Sequence, residues 1–519
     1  MTFSFRICTI ALGLIALTAI PTSLAAQNNG DKSDRQPHYK LIDLGTFGGP
    51  NSLVNDGNPP VSQVINLRRA VVGAADTSNP DPYSPDCFID CVVAYAFLWQ
   101  DGTLTDLGSL PGVNSSLAIE INGDGLIIGV SENGSSDPLT GFPEVDPVLW
   151  KNGQILNLGT FGGTQGIALT VNNRGQVVGG ALNTIPDAFA SSFDSLAFSY
   201  PGTTQMHAFL WEKALMEDLG TLGGPDSEAF YINQREQVTG VSYTNATVNP
   251  VTGHPTEDPF LWEGGRMFDL GSLGGTFGYP SALNERGQVA GTSNLAGDQT
   301  YHPFLWTSPG PMRDLGTLGG STGIAFWAND KGEVVGRSDL PGSGVQRHHA
   351  FLWKEEAMAD LGTIGSDPCS IALSINASGQ IVGTSTNCTE YLHGFISENG
   401  GPATDLNSLV QPGSTLTIRE GDFINDRGEI AGKALLSSGD IHAVLLIPCD
   451  SHHPGVEGCN YDPADFDSTI RNAPANEVTP SANSALITRP ATSVEPGNQL
   501  RMRFGRQYNG APVSGAPTN

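Results

Sequence analysis

The chain has 519 residues, with 25 Lys or Arg against 53 Asp or Glu and a formal charge of −28. That excess repels phosphate backbones, which proteins bind through clustered cations, and so argues against a nucleic-acid partner. Beyond the first 26 residues no stretch approaches the roughly 20 consecutive apolar residues of a membrane-spanning helix.

Residues 1–26 read as a secretory signal peptide: Arg6, an apolar run from Ile10 to Ile20, Pro21, then the small-residue stretch Ser23-Leu24-Ala25-Ala26. The run is too short to span a bilayer, so cleavage near Ala26 and a secreted, extracellular or periplasmic, protein are expected. Residues 27–38 read as a linker.

From residue 39 to residue 449 one pattern recurs eight times. Its clearest copy is His302-Pro303-Phe304-Leu305-Trp306, Met312-Arg313-Asp314-Leu315-Gly316, Thr317-Leu318-Gly319-Gly320, Ala325-Phe326-Trp327-Ala328-Asn329 and Glu333-Val334-Val335-Gly336. The Asp-Leu-Gly piece falls at Asp43, Asp106, Asn157, Asp218, Asp269, Asp314, Asp360 and Asp405. Short runs rich in Val, Ile, Leu, Phe and Trp, bounded by Gly, Asn, Asp and Pro, predict four strands per copy. Asn-x-x-Gly, as in Asn329-Asp330-Lys331-Gly332, predicts a tight turn whose Asn caps it and whose Gly accepts positive φ.

A four-stranded antiparallel unit of this length matches one propeller blade, whereas solenoid repeats of similar length carry helices. The array opens at Tyr39-Lys40-Leu41-Ile42-Asp43 with an unpartnered Asp-Leu-Gly strand and ends at His442-Ala443-Val444-Leu445-Leu446-Ile447 without one. The expected fold is therefore all-β: an eight-bladed β-propeller of four-stranded blades, its ring closed by the N-terminal strand completing the last blade. Closure leaves no unpaired edge. An open array or two four-unit rings are the alternatives.

The nearly fixed Gly-Thr-Leu-Gly-Gly link suits the passage from one blade's outermost strand to the next blade's innermost strand. The innermost strand then carries a recurring small residue at Ala118, Ala168, Ala229, Ala282, Ala325 and Ala372. All loops from the Val-Val-Gly strand to the Phe-Leu-Trp strand are expected on one face, where binding residues concentrate. The longest runs from Gly180 to Met206.

Six cysteines remain after Cys8 leaves with the signal, as three local couples: Cys87 with Cys91, Cys369 with Cys388, and Cys449 with Cys459. Disulfides are expected from an even count in an oxidising compartment. The couples lie far apart and lack regular His partners, which argues against zinc. Residues 450–519, dominated by Pro, Ala, Ser, Asn and Thr, predict a disordered tail in which Arg501, Arg503 and Arg506 are solvated.

His207-Ala208-Phe209-Leu210-Trp211 and His349-Ala350-Phe351-Leu352-Trp353, each followed by Asp-Leu-Gly-Thr, resemble the HAF repeat of predicted extracellular proteins, over residues 39 to 448. The resemblance implies export and tandem repetition, and supplies no catalytic residue. Asp146, Asp258 and Tyr95 depart from it by replacing the first His.

His207, His302, His349, His393 and His442 share one repeat position, which predicts a strand-entry hydrogen bond once per blade rather than a shared metal. The Asp-Leu-Gly aspartates lack the ligand series of a calcium loop, so turn hydrogen bonds are expected there. No catalytic motif, cofactor site or metal site is recognised. Cys87 and Cys91 are not adjacent, unlike the vicinal pair of quinone-dependent propeller enzymes. The candidate ligand face comprises Asp76, Asp81, Tyr83, Phe189, Phe193, Phe198 and Tyr200. The expected function is binding of a carbohydrate, a cell-envelope component or an extracellular protein by a monomer. The alternatives are an extracellular hydrolase or lyase of polysaccharide, using loop carboxylates among Asp76, Asp81, Asp137, Glu144, Asp187, Asp194 and Glu257, or a structural surface protein.

Overall fold

A computed structural model describes residues 38–54, 62–84, 87, 89, 91–112, 114–190, 193, 203–342 and 347–459. The signal segment, most of the linker, and the tail from residue 460 lie outside the described residues. Among the described residues no helix is long and apolar enough to cross a membrane.

The strands form seven antiparallel sheets, six of four strands and one of eight. The eight-stranded sheet is two four-stranded units, 227–269 and 274–314, joined by one parallel bridge between Glu257 and Phe277. Numbered along the chain, the units span 48–106, 116–157, 166–218, 227–269, 274–314, 323–362, 369–405 and 416–448, the last completed by 39–43. In unit 3 the order is Gly166–Val171, Val177–Pro186, Thr204–Glu212, Leu215–Asp218. In unit 8 the N-terminal strand Tyr39–Asp43 pairs with Ile441–Pro448 in register Tyr39 to Pro448 and Asp43 to Val444.

Each first strand shifts register beside the Val-Val-Gly strand, as between Ala325 and Trp327 in unit 6. The bulge pushes a carbonyl against the glycine: a Cβ on Gly336 would overlap the Ile324 oxygen, and one on Gly240 the Glu228 oxygen. The conserved geometry of that contact, rather than chain flexibility, explains the glycine. In unit 5 the residue facing the glycine is Pro280, paired with Gly291, while Ala282 pairs with Ala290. Ala282 is thus not the counterpart of the other five alanines: it lies two residues before Asn284, where they lie four before their Asn, and in the pairing it corresponds to Trp327 of unit 6.

The Asn of the turn bonds both its own turn and the next unit. Asn329 Oδ1 accepts the backbone N–H groups of Lys331 and Glu333, while its Nδ2 donates to Glu333 and to the Asn376 carbonyl in the next unit. The inter-unit bond recurs from Asn66 to Asn122, Asn172, Asn233, Asn284, Asn329, Asn376 and Asn425, and Asn425 donates back to Asn66, all at 2.9–3.2 Å. The ladder returns on itself. Trp327 of unit 6 meets Tyr231 of unit 4 at 5.9 Å and Phe423 of unit 8 at 5.6 Å, so rings from alternate units fill the middle of this circle.

The fixed link is held by a serine of the unit it leads into. Leu222 N–H donates to Ser242 Oγ, Leu273 to Ser293 and Leu318 to Ser338. Disulfides join Cys87 to Cys91, Cys369 to Cys388 and Cys449 to Cys459, the mark of an oxidising environment outside the cytoplasm. Residues 450–459, the start of the segment expected to be disordered, are a turn held in place. His453 is buried against Glu429 at 3.4 Å, and Glu429 also pairs with Arg69 at 2.8 Å.

Candidate functional site

The repeated histidines and aspartates meet within their own sheets. His207 pairs with Asp218 at 2.8 Å, and His302 with Asp314, His349 with Asp360 and His442 with Asp43 at 2.9 Å. The same aspartates accept the N–H two residues on, as Asp314 does from Gly316. These groups are scaffold. His393 turns instead to Asp367 at 2.8 Å, and Asp405 caps a short 3-10 helix, Leu406–Leu409. In unit 2 Asn157 donates to Asp146 at 2.6 Å. Unit 4 sets Asp258 near Asp269, and burial with that second carboxylate pushes Asp258 up to about 7.

Where the units differ is the connection between their second and third strands. From the Val-Val-Gly glycine to the histidine position, 16 to 27 residues intervene in units 1–4 (Gly129 to Asp146, Gly179 to His207), against 9 to 12 in units 5–8 (Gly383 to His393, Gly336 to His349). The second strands of units 1–3, Val71–Pro80, Ile127–Ser136 and Val177–Pro186, run ten residues and end exposed, so their hairpins stand above the sheets.

The four long connections share a turn. Asp81, Asp137, Asp187 and Asn249 each accept, through the side chain, the N–H two residues on, at Tyr83, Leu139, Phe189 and Val251, at 2.6–2.8 Å. This Asx turn places one large apolar side chain per unit at the top of each hairpin. Each turn also leans on the following unit. Ser115 Oγ donates to Asp81 at 3.3 Å, Thr164 Oγ1 to Asp137 at 2.6 Å, and Asn249 Nδ2 to Thr276 Oγ1 at 2.7 Å. Asp187 lies beside Asp226. We call this row of hairpins the crest.

Leu139, Ile185, Val248 and Val251 are exposed on it, Leu139 to 77% and Val251 to 59%. Other predicted face residues serve the scaffold. Asp76 is buried and accepts the Asn51 N–H at 2.9 Å, and Asp81 is buried in its turn. Phe193 is 0% exposed, packed edge-on to Tyr243 at 5.0 Å, and Phe189 meets the same ring at 6.0 Å. The Phe193 ring therefore roots the loop in the core and does not face a ligand. Tyr83 stays partly open; burial raises its pKa, with Glu132, Asp81 and Glu144 adding to the effect. Phe198, Tyr200 and Asp194 lie outside the described residues.

Beneath the crest lies a group of carboxyls. Register places Asp226, Glu228 and Glu257 on one face of unit 4, since Glu228 opposes Val241 and Glu257 opposes Tyr243. Burial pushes Glu228 up to about 8, and neither of its oxygens has a hydrogen-bond partner among the described residues. Burial likewise raises Glu257 well above the usual range, with Glu228, Asp258 and Asp226 adding to it. Asp226 reaches about 7 through burial and neighbouring Asp187, opposed by the Met206 N–H. Under the unit 1 and unit 2 hairpins, burial takes Glu132 to about 7 although Ser115 N–H donates to it at 2.6 Å. Of the loop carboxylates considered for catalysis, Asp187 and Glu257 thus share one acidic group, while Asp76 and Asp137 are taken up by backbone and hydroxyl donors. Among the described residues no three His, Cys, Asp or Glu could hold a metal ion.

No family model and no curated protein matches this chain. Solved structures similar to it include a gluconolactonase from Xanthomonas campestris, at 8% identity over 47% of this chain and 78% of that one, with a TM-score of 0.25. The tricorn protease is similar at 13% identity over 70% and 35%, with a TM-score of 0.28. A Trypanosoma rangeli sialidase is similar at 10% identity over 72% and 58%, with a TM-score of 0.28. No residue role is carried over from them.

Proposed function

We propose that the chain is an exported binding protein of the HAF-repeat kind, an eight-bladed β-propeller closed by its N-terminal strand, whose crest recognises a carbohydrate, a cell-envelope component or another extracellular protein. The closed Asn ladder and the pairing of Tyr39–Asp43 with Ile441–Pro448 support the ring. The three disulfides support export. One observation carries the binding role: four consecutive units share a turn, and the hairpins of units 2, 3 and 4 hold Leu139, Ile185, Val248 and Val251 out in solvent, a use of chain that the fold itself does not require.

The test is binding of the mature chain, residues 27–519, to a panel of glycans and cell-envelope fractions, with each bound ligand rechecked for cleavage. A ligand held by the wild type and lost in the triple variant Leu139→Ser/Ile185→Ser/Val251→Ser, whose three side chains are exposed, is the expected result. Undiminished binding by that variant overturns the crest as the site. Hydrolysis or lyase chemistry is the second reading, favoured by the convergence of Asp187 with Asp226, where one carboxyl holds its proton near neutral pH beside another. It requires a cleaved ligand and loss of turnover in Asp187→Asn.

A further inference from the structure

We propose that Lys433 and Asp422 condense into an amide bond that ties the first two strands of unit 8 together, with Glu420 as the catalytic proton carrier. The three groups stand together inside the unit that closes the ring. Lys433 Nζ lies 3.2 Å from Glu420 Oε2 and 3.3 Å from Asp422 Oδ1, and the three side chains are 14%, 2% and 1% exposed. Residues of these types are seldom buried, and two carboxylates with one ammonium are costly to take out of water. The fold does not ask for them. Register sets Glu420 opposite Lys433, where unit 2 has Leu117 opposite Val130 and unit 7 has Ile371 opposite Thr384. Asp422 is the extra residue of the bulge between Gly421 and Phe423, a place held by Ile119, Leu169, Phe230, Ser281, Phe326 and Leu373 in units 2–7. Bulges re-aim side chains, and this one brings a short carboxyl arm to a lysine on the neighbouring strand.

The reaction balances within the triad. An ammonium and a carboxylate hold the atoms of one amide and one water, so no oxidant, activating group or cofactor is consumed. Burial works against the Lys433 ammonium, but Asp422 and Glu420 outweigh it and raise its pKa, so the amine starts out charged. Glu420 takes one proton from the nitrogen and passes it to an Asp422 oxygen. The freed lone pair attacks Cγ of Asp422 and the N–Cγ bond forms. A second nitrogen proton travels by the same carboxylate to the departing oxygen, the Cγ–O bond breaks, and water leaves with Glu420 restored. Groups held about 3–3.5 Å apart react without the cost of an encounter. In water the hydration of the two ions opposes this condensation; in the buried site the product exchanges an ion pair for a neutral amide. The bond fastens the inner strands of the sheet whose outer edge is Tyr39–Asp43, and reductants that open the three disulfides leave it intact.

The test is the mass of the mature chain, residues 27–519, unfolded with its disulfides reduced, for wild type, Glu420→Gln and Lys433→Arg. Wild type is expected to be lighter than its sequence by one water, and both variants to have their full mass. Trypsin cuts after Arg419 and Arg427 but not after an acylated lysine. The wild-type digest is therefore expected to contain residues 420–427 joined to the peptide that begins at Gly428 and runs past Lys433, with fragmentation placing the junction at Asp422. That peptide separates the bond from loss of water elsewhere in the chain. Full mass and an unlinked Lys433 in wild type that melts cooperatively overturn the proposal, whether or not the variants fold. A junction at Glu420 overturns the roles given to the two acids, and a bond formed undiminished in Glu420→Gln overturns the proton carrier.

Discussion

Glu228→Gln is expected to reverse part of a pH-dependent loss of stability. Glu228 is 1% exposed, no partner for its oxygens is found among the described residues, and burial pushes its pKa from 4.5 to about 8. The folded chain keeps this proton up to about pH 8, whereas the unfolded chain releases it near pH 4.5. Between those values the native state binds more protons, so stability falls as pH rises; the contribution is fully present below pH 4.5 and gone above pH 8. A shift of that size corresponds to a ceiling of about 5 kcal/mol at 1.36 kcal/mol per unit. Glutamine keeps the shape and never ionises. Urea unfolding of both proteins at pH 5 and pH 8, disulfides intact, separates this carboxyl from Glu120, Glu132, Asp226, Glu257 and Asp258, which titrate in both. The expected gain of the variant over wild type is at least about 1 kcal/mol larger at pH 8 than at pH 5. Curves that fall in parallel between the two pH values would refute the argument.

Two further outcomes follow from the repeat. Asp258→His restores, opposite Asp269, the pair that His207, His302, His349 and His442 make with their aspartates, and removes a carboxyl held up at about 7. A stability gain at pH 8, from loss of the buried carboxylate, is expected in the same unfolding assay; toward pH 5 that part shrinks while the protonated His beside Asp269 adds about 0.2–1 kcal/mol; a loss at pH 8 would mean that the histidine position is set by packing instead. Gly336→Ala drives a Cβ into the Ile324 carbonyl on the bulged strand and is expected to cost about 2–4 kcal/mol, read as a lower urea midpoint, while Gly342→Ala, with nothing within 4 Å of its Cβ, costs no more than its positive φ demands.

The scaffold was legible because each unit must satisfy the same backbone groups with the same few side chains. Asn329 needs its amide for two turn N–H groups and the next unit's carbonyl, and only Asn offers acceptor and donor at that length, so the residue recurs at Asn66 and at the other six positions. At unit 5 the count back from the turn decides: Pro280, four residues before Asn284, faces Gly291, while Ala282, two before it, stands where unit 6 has Trp327. On the crest the difficulty was different. Asp81, Asp137, Asp187 and Asn249 do the same job at unequal intervals, and the side chains they present are Tyr, Leu, Phe and Val, so self-comparison finds no fixed period. The faint signal was Asp or Asn followed by Pro in three of them: Asp81-Pro82, Asp137-Pro138 and Asn249-Pro250. Nor does a sequence say which acids are consumed inside the scaffold. Asp76 and Asp137 look as available as Asp187 until their donors are seen.

Closure at several radii explains why the crest can be lopsided without straining the scaffold. The two ends of the array meet through Asn425 to Asn66 near the middle, through the Ala443 N–H to Ser52 Oγ at 3.0 Å farther out, and through His442 with Asp43 and the strand pairing at the rim. Beyond the last strand, Cys449 N–H donates to the His38 carbonyl, and Cys449 is joined to Cys459. Each contact repeats one already made within or between other units, except those of the tail, which belong to the ends alone. Lengthening a surface loop on such a frame costs only about 0.6 kcal/mol per doubling of its length, provided its base stays fixed. The base is fixed: Asp187 N–H bonds Thr203 O at 3.1 Å beneath the longest loop, and Ser131, Ser242 and their counterparts hold the neighbouring links. Four consecutive hairpins can therefore change at little thermodynamic cost, and the uniform units below them absorb none of the change.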